Sequence, residues 1–230
     1  MFTLTVIIPF FNEQEFLEKS LKRVIETNVA QNILLVDDNS SDNSSIIANK
    51  YVKMYEHLEY IKIHENKGKG FAISNVKDII TTTHVAIHDA DLEYNPNDLK
   101  KMFKLVSEYP NSLILGSRFI GDLKRENIYL RTYFANKLIS YFFSFIQFYR
   151  VTDVATCYKL FPNEFFKNLK IREKGFSIEI ELLAKYLKYN KSIVEVPINY
   201  VGRSYAEGKK IKLRDGFFYI LNTIKYRFRN

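Results

Sequence analysis

The sequence predicts an α/β protein with a doubly wound, mostly parallel central sheet flanked by helices and with amphipathic helices toward its C-terminus. Three observations predict this. Four apolar, β-rich runs, Phe2 to Phe10, Asn32 to Val36, Leu58 to Ile63 and Thr83 to His88, have the character of strands buried on both faces. Stretches with helical apolar spacing separate them, and repeated strand-helix alternation favours a parallel sheet. Polar and acidic residues follow the strands, where a sheet of this kind places its ligand crevice.

Taken in order, the first strand runs into Asn12 and Glu15, which have the spacing of a capping box for a helix carrying Phe16, Leu17, Leu21, Val24 and Ile25. The second strand ends in Asp37-Asp38-Asn39-Ser40-Ser41-Asp42, and a helix through Ile46, Ile47, Tyr51 and Met54 leads to the third. Asn66-Lys67-Gly68-Lys69-Gly70 then reads as a turn feeding a helix; it lacks the spacing of a phosphate-binding P-loop. The fourth strand delivers His88-Asp89-Ala90-Asp91-Leu92-Glu93. Asn95-Pro96-Asn97 opens a further helix, and Ser112 to Leu115 is a fifth strand ending in Gly116-Ser117-Arg118-Phe119.

Beyond this point the pattern changes. Residues 131–150 form a long aromatic helix interrupted by Asn136, Lys137, Ser140 and Gln147, short of the roughly 20 uninterrupted apolar residues that a spanning helix needs. It reads either as a helix packed on the sheet or as one lying in a membrane interface. Strands at Thr156 to Phe161 and Ser192 to Tyr200, a helix near Glu179 to Tyr189 and an amphipathic helix from about Ile211 complete the chain.

With 230 residues, 47% hydrophobic and 15% aromatic, the chain suits one domain with an ample core. The single cysteine, Cys157, excludes an internal disulfide framework and fits a reducing compartment. The apolar start has no basic leader and reads as a strand, so a cytoplasmic protein is expected. The net charge of +8 implies anionic partners, and Arg203, Lys209, Lys210, Lys212, Arg214, Lys225, Arg227 and Arg229 concentrate it among aromatics near the C-terminus. No zinc-finger or helix-turn-helix spacing supports a nucleic-acid partner.

On a strand, Asp89 and Asp91 would lie side by side, a pair suited to a hard cation such as Mg²⁺ or to a solvated turn. Asp37 and Asp38 suit ribose hydroxyls or a turn equally well. The acids after three strands, Arg118 and the basic segment from Arg203 to Lys209 all converge on one sheet edge. That is the set a nucleoside diphosphate with a metal requires.

Val6-Ile7-Ile8-Pro9-Phe10-Phe11-Asn12-Glu13, Val36-Asp37-Asp38-Asn39-Ser40-Ser41-Asp42, Asp89-Ala90-Asp91-Leu92-Glu93, Gly116-Ser117-Arg118-Phe119 and Glu195-Val196-Pro197-Ile198 together resemble a family 2 glycosyltransferase of the GT-A fold. Within it the chain is most similar to the branch of dolichol-phosphate mannose synthase and the polyprenyl-phosphate glycosyltransferases.

The resemblance implies a single domain over residues 1–230, with 1–120 binding a nucleotide-sugar donor and 121–230 facing the acceptor and the membrane. It places Pro9, Phe11, Glu13, Val36, Asp38, Asp89 and Ala90 at the nucleotide sugar, and Asp89, Asp91 and Glu93 on a divalent cation, Mg²⁺ or Mn²⁺. Arg203 and Lys209 fall over the diphosphate, Arg118 and Arg131 at the acceptor phosphate, and Asp91, Arg118, Arg203 and Lys209 carry catalysis. The implied reaction is inverting hexosyl transfer from a GDP-mannose or UDP-glucose type donor to a polyprenyl phosphate, by an enzyme peripheral on the inner face of the cell membrane. A saccharide hydroxyl acceptor would instead need a base, for which Asp153 and Glu179 are the candidates. A non-catalytic nucleotide-sugar or membrane-binding module is the reading from another class. Asp153 to Lys159 departs from the Ser-Gly-Phe-Arg version of many mannose synthases, which leaves the sugar open.

Overall fold

The computed structural model describes residues 1–123, 125–126, 129–203 and 213–229, which build one seven-stranded sheet and a small two-stranded one. Strand β1 (Leu4–Phe10) is followed by α1 (Leu17–Glu26), β2 (Asn32–Asp37), α2 (Ser44–Met54) and β3 (Leu58–Lys62). Then come α3 (Lys69–Ser74), β4 (His84–Ile87), α4 (Pro96–Lys104) and β5 (Leu113–Ser117). The second half holds β6 (Arg125–Glu126), α5 (Leu130–Gln147), β7 (Lys159–Pro162), α6 (Asn163–Asn168), α7 (Ile178–Tyr189), β8 (Ile193–Pro197), β9 (Tyr200–Val201) and α8 (Leu213–Phe228).

The sheet order is β3-β2-β1-β4-β7-β5-β8. Neighbours run parallel except β7, which lies antiparallel between β4 and β5. This is the doubly wound, mostly parallel sheet expected. The strand order reverses at β1 and β4, and the crevice beyond their carboxyl ends is where such a sheet receives a ligand.

Strand alternation gives the sheet two cores, because successive side chains point to opposite faces. Leu4, Val6, Ile8, Phe10 and Ala86 pack with Leu17 and Leu21 of α1, Ala48 of α2 and Leu99 and Met102 of α4. Ile7, Leu34, Val36, Val85 and Ile87 pack instead with Phe143 of α5, Ile178 and Leu182 of α7 and Tyr219 of α8. Being enclosed on both faces is why the early strands read as unbroken apolar runs.

Helix α5 is turned the opposite way from a helix that buries its apolar residues. Ile139 and Phe143 face the core, but so do Ser140 and Gln147, each supplied with partners. Ser140 Oγ donates to the Asn136 carbonyl and accepts from Val154 N, and Gln147 Nε2 donates to the Thr223 carbonyl on α8. Leu130, Phe134, Leu138, Tyr141, Phe145 and Phe148 are left exposed, as are Phe217, Phe218, Leu221, Ile224 and Phe228 of α8. The structure thus divides the aromatic stretch between core and surface. Among the described residues no helix is long and apolar enough to cross a membrane.

Two local expectations are corrected. The capping box at Asn12 and Glu15 does not form: α1 begins at Leu17 without a side-chain cap, and Asn12 adopts φ +49° so that its Oδ1 accepts from Ser41 N at 2.8 Å. A long-range bond between two loops outcompetes the local one. Strand β4 stops at Ile87, so the acids after it lie in a turn and not on a strand. Leu92, at φ +66°, reverses the chain there and lets Glu93 N donate to Asp91 Oδ1 at 3.1 Å.

Candidate active site

A cavity of about 280 Å³ opens beyond the ends of β1 and β4, and most of the expected site residues line it. Pro9, Phe11 and Glu13 contribute from the end of β1, Asp38 from the end of β2, Asp89, Ala90, Asp91 and Glu93 from the turn after β4, and Arg118 and Arg203 from the opposite wall. Val36 does not line it; its side chain is fully buried in the core, because the alternation of β2 points it into the sheet packing. Arg131 does not line it either, being exposed at the start of α5. Lys209 lies outside the described residues.

The two acids of the Asp-x-Asp turn are held by different cations from different walls. Lys69 Nζ sits 2.7 Å from Asp89 Oδ1 and 2.8 Å from Glu179 Oε1. Glu179 in turn holds the fully buried Lys159 at 2.5 Å, and Lys159 also donates to the carbonyls of Val154 and Thr156. This alternating chain ties α3, α7 and the loop before β7 to Asp89. Burial works to raise the Asp89 carboxyl, but the charge and hydrogen bond of Lys69 outweigh it and the net shift is downward.

Asp91 meets Arg203 Nη2 at 3.1 Å, and Arg203 Nη1 reaches Glu13 Oε2 at 3.1 Å. Burial, followed by the neighbouring charges of Glu93 and Asp89, pushes Asp91 up to about 8 against the pull of Arg203. A carboxyl driven this far is one whose surroundings supply too little positive charge. Both Glu93 oxygens accept hydrogen bonds, one from Tyr200 Oη at 2.7 Å and the other from Arg203 N at 2.7 Å. Among the described residues no three acidic, histidine or cysteine side chains form a ready metal cluster.

Asp38 is fixed by main-chain donors, Lys67 N at 2.9 Å and Gly68 N at 2.7 Å. Gly68 has φ +94°, and a Cβ there would meet the Lys174 carbonyl oxygen at 2.7 Å, so the turn needs glycine. Asp37 takes the turn role alone, accepting from Ser40 N and from the Tyr60 hydroxyl. Arg118 is clamped by Asp153 through Nε at 2.7 Å and Nη2 at 2.8 Å, with its guanidinium 4.9 Å from the Tyr200 ring centroid. Asp153 and Glu179, the candidate bases, are therefore both committed to buried ion pairs.

The sequence reading gave no site role to Lys69, which lines the cavity, or to Lys159, buried behind Glu179. Lys69 stood inside a segment read as a turn, and only the fold carries it to Asp89. His88, by contrast, is a buried structural residue, bonded to Ser20 and to the Tyr158 hydroxyl, and burial lowers it to about 4.

The model of the family described as "Glycosyl transferase family 2" matches residues 5–170, more than half of the chain. The chain belongs to that family. The transferase is 27% identical over 232 residues to human dolichyl-phosphate beta-glucosyltransferase, covering 90% of this chain and 69% of the relative. It is 25% identical over 213 residues to glycosyltransferase AglJ of Haloferax volcanii, covering 92% and 67%. Among solved structures, glucosyl-3-phosphoglycerate synthase from Mycobacterium tuberculosis, in complex with Mn²⁺, UDP-glucose and phosphoglyceric acid, superposes with a TM-score of 0.75 at 16% identity, covering 98% of this chain and 79% of that one. That likeness speaks for the GT-A fold of the transferase.

Proposed function

We propose that the transferase moves a hexose, with inversion, from a nucleoside diphosphate sugar to a polyprenyl phosphate at a membrane surface, with glucose from UDP-glucose as the first donor to test and GDP-mannose as the second. The name of the human relative supports a lipid phosphate acceptor and a glucose donor. The observation that carries the acceptor class is the fate of the two candidate bases. A hydroxyl acceptor needs a carboxylate to take its proton, and Asp153 and Glu179 are both locked to cations. A phosphate is already ionised and needs only to be positioned.

Arg118 suits that task, because it lines the cavity while Asp153 fixes its guanidinium through Nε and Nη2. Pro9, Phe11, Glu13 and Asp38 form the nucleoside end, and Arg203 lies where charge develops on the departing diphosphate. Lys209 is proposed as its second cation from the sequence resemblance alone. The residues fit a divalent cation at Asp91, the carboxylate short of positive charge, with Asp89 as its neighbour and Glu93 already engaged. When bound there, the cation would stabilise the leaving diphosphate electrostatically. Direct attack on an α-linked donor by the acceptor phosphate yields a β-linked product.

The exposed aromatic faces of α5 and α8 support attachment to a lipid surface, since burying such side chains contributes about 1.5–3 kcal/mol each. Arg227 and Arg229 add basic contacts of about 1 kcal/mol each near an anionic leaflet. The deciding experiment offers labelled UDP-glucose or GDP-mannose, Mn²⁺ and polyprenyl phosphate in vesicles. Labelled, butanol-extractable lipid with a β-linkage is expected; label appearing only in added oligosaccharide, or an α-linked lipid, would reject the proposal.

A further inference from the structure

Arg203 joins two acids of the pocket yet leaves one of its own donors without an acceptor. Its guanidinium bridges Glu13 and Asp91, both at 3.1 Å, with the side chain only 10% exposed. Among the described residues its Nε is buried and has no hydrogen-bond partner. A buried donor left unsatisfied costs about 1–3 kcal/mol, so this position leaves Arg203 short of one acceptor. The backbone of the same residue is firmly held: Arg203 N donates to Glu93 Oε1 at 2.7 Å, and the Tyr200 hydroxyl, three residues earlier, donates to Glu93 Oε2 at 2.7 Å. A further bond from Val201 N to the Glu93 carbonyl closes the attachment of β9 to the acidic turn.

We propose that Arg203 and a divalent cation are alternative partners of Asp91, with Glu93 holding the backbone of Arg203 beside it. The inference rests on the metal-dependent transferase reading given above. The contact of Arg203 Nη2 with Asp91 Oδ2 engages the carboxylate that a cation would bind. An incoming diphosphate supplies the acceptor that Nε lacks and draws the guanidinium from Asp91, which is freed for the metal that arrives with it. Donor and cation then bind cooperatively through the displacement of one side chain, and by linkage each raises the affinity of the other by the same factor.

The test is Mn²⁺ binding to donor-free protein, read from the free-ion electron paramagnetic resonance signal, in the wild type and in Arg203→Lys and Arg203→Gln. Each variant's urea midpoint is measured beside it, so that an unfolded protein is recognised. Arg203→Lys keeps the charge but cannot bridge Glu13 and Asp91 with a planar fork. It is expected to bind Mn²⁺ at least threefold more tightly than the wild type, and Arg203→Gln at least tenfold. Adding UDP should strengthen Mn²⁺ binding to the wild type by a larger factor than to either variant. If Arg203→Lys matches the wild type while only Arg203→Gln gains, the effect is long-range charge and the exchange is overturned. The labelled-lipid assay on the wild type judges the transferase reading separately, since Mn²⁺ exchange on Asp91 is measured without turnover.

Discussion

The two halves of the molecule treat their apolar residues in opposite ways. Around β1 to β4, Leu17, Leu21 and Val24 of α1 and Leu99 and Met102 of α4 are buried against the sheet, and charged groups that enter the interior do so in pairs. Around α5 and α8, polar Ser140, Gln147 and Thr223 are inside while Phe134, Phe145, Phe217 and Phe218 are outside. A core that water alone shaped would not spend interior positions on hydroxyls and amides while exposing phenyl rings. The first half is built to hold a charged ligand rigidly. The second leaves aromatic faces of α5 and α8 on the outside, as the proposed attachment to lipid requires.

That contrast can be broken by substitution, starting where the expected effect is largest. Lys69→Met leaves Asp89 and Glu179 in the interior without their shared cation, so the urea-unfolding free energy should fall by about 3–5 kcal/mol. A loss below about 1 kcal/mol would mean that the charge chain does not hold this half together. Asp91→Ala should lower kcat by about a thousandfold, as expected for removal of a group that organises charge at the leaving phosphate, with little loss of stability. Retained turnover would separate the cavity from the chemistry.

His88 gives a pH test of the same half. Burial lowers its pKa from 6.5 to about 4, so the unfolded chain takes up a proton across that window and the folded chain does not. The stability it contributes is present above about pH 6.5 and lost as pH falls toward 4, on the order of 3 kcal/mol in all. Chemical denaturation of His88→Gln should show a shallower fall in stability over this range than the wild type; an equally steep fall would assign the dependence to other groups.

The smallest expected effect on the fold lies in the second half. Phe134→Ser with Phe145→Ser should leave the unfolding free energy within about 0.5 kcal/mol, because both rings are already exposed. Flotation with vesicles of anionic lipid should drop by about tenfold or more. Unchanged flotation would show that the exposed rings meet something other than lipid.

Much of the fold was legible in the chain. The strand-helix alternation through Leu115, the crevice beyond the strands' ends and the gathering of Glu13, Asp38, Asp89, Asp91, Arg118 and Arg203 around it all follow from local pattern plus topology. What stayed hidden depended on partners far away in sequence. Lys69 reads as part of a turn until α7 brings Glu179, 110 residues later, to its ammonium. The two hydrogen bonds that Glu93 accepts come from the Tyr200 hydroxyl and the Arg203 amide, 107 and 110 residues away. Asn12 reads as a cap until the loop after β2 offers Ser41.

The sequence by itself determined which groups are present and at which strand ends they emerge, since apolar periodicity and strand order are local properties. Tertiary structure decided which cation each carboxylate meets and which face of α5 looks outward. Charge pairing and burial are settled by distances between segments that local pattern does not encode. The acidic turn shows this division: its aspartates were readable as a pair, but the fold gives each a different cation, Lys69 to Asp89 and Arg203 to Asp91.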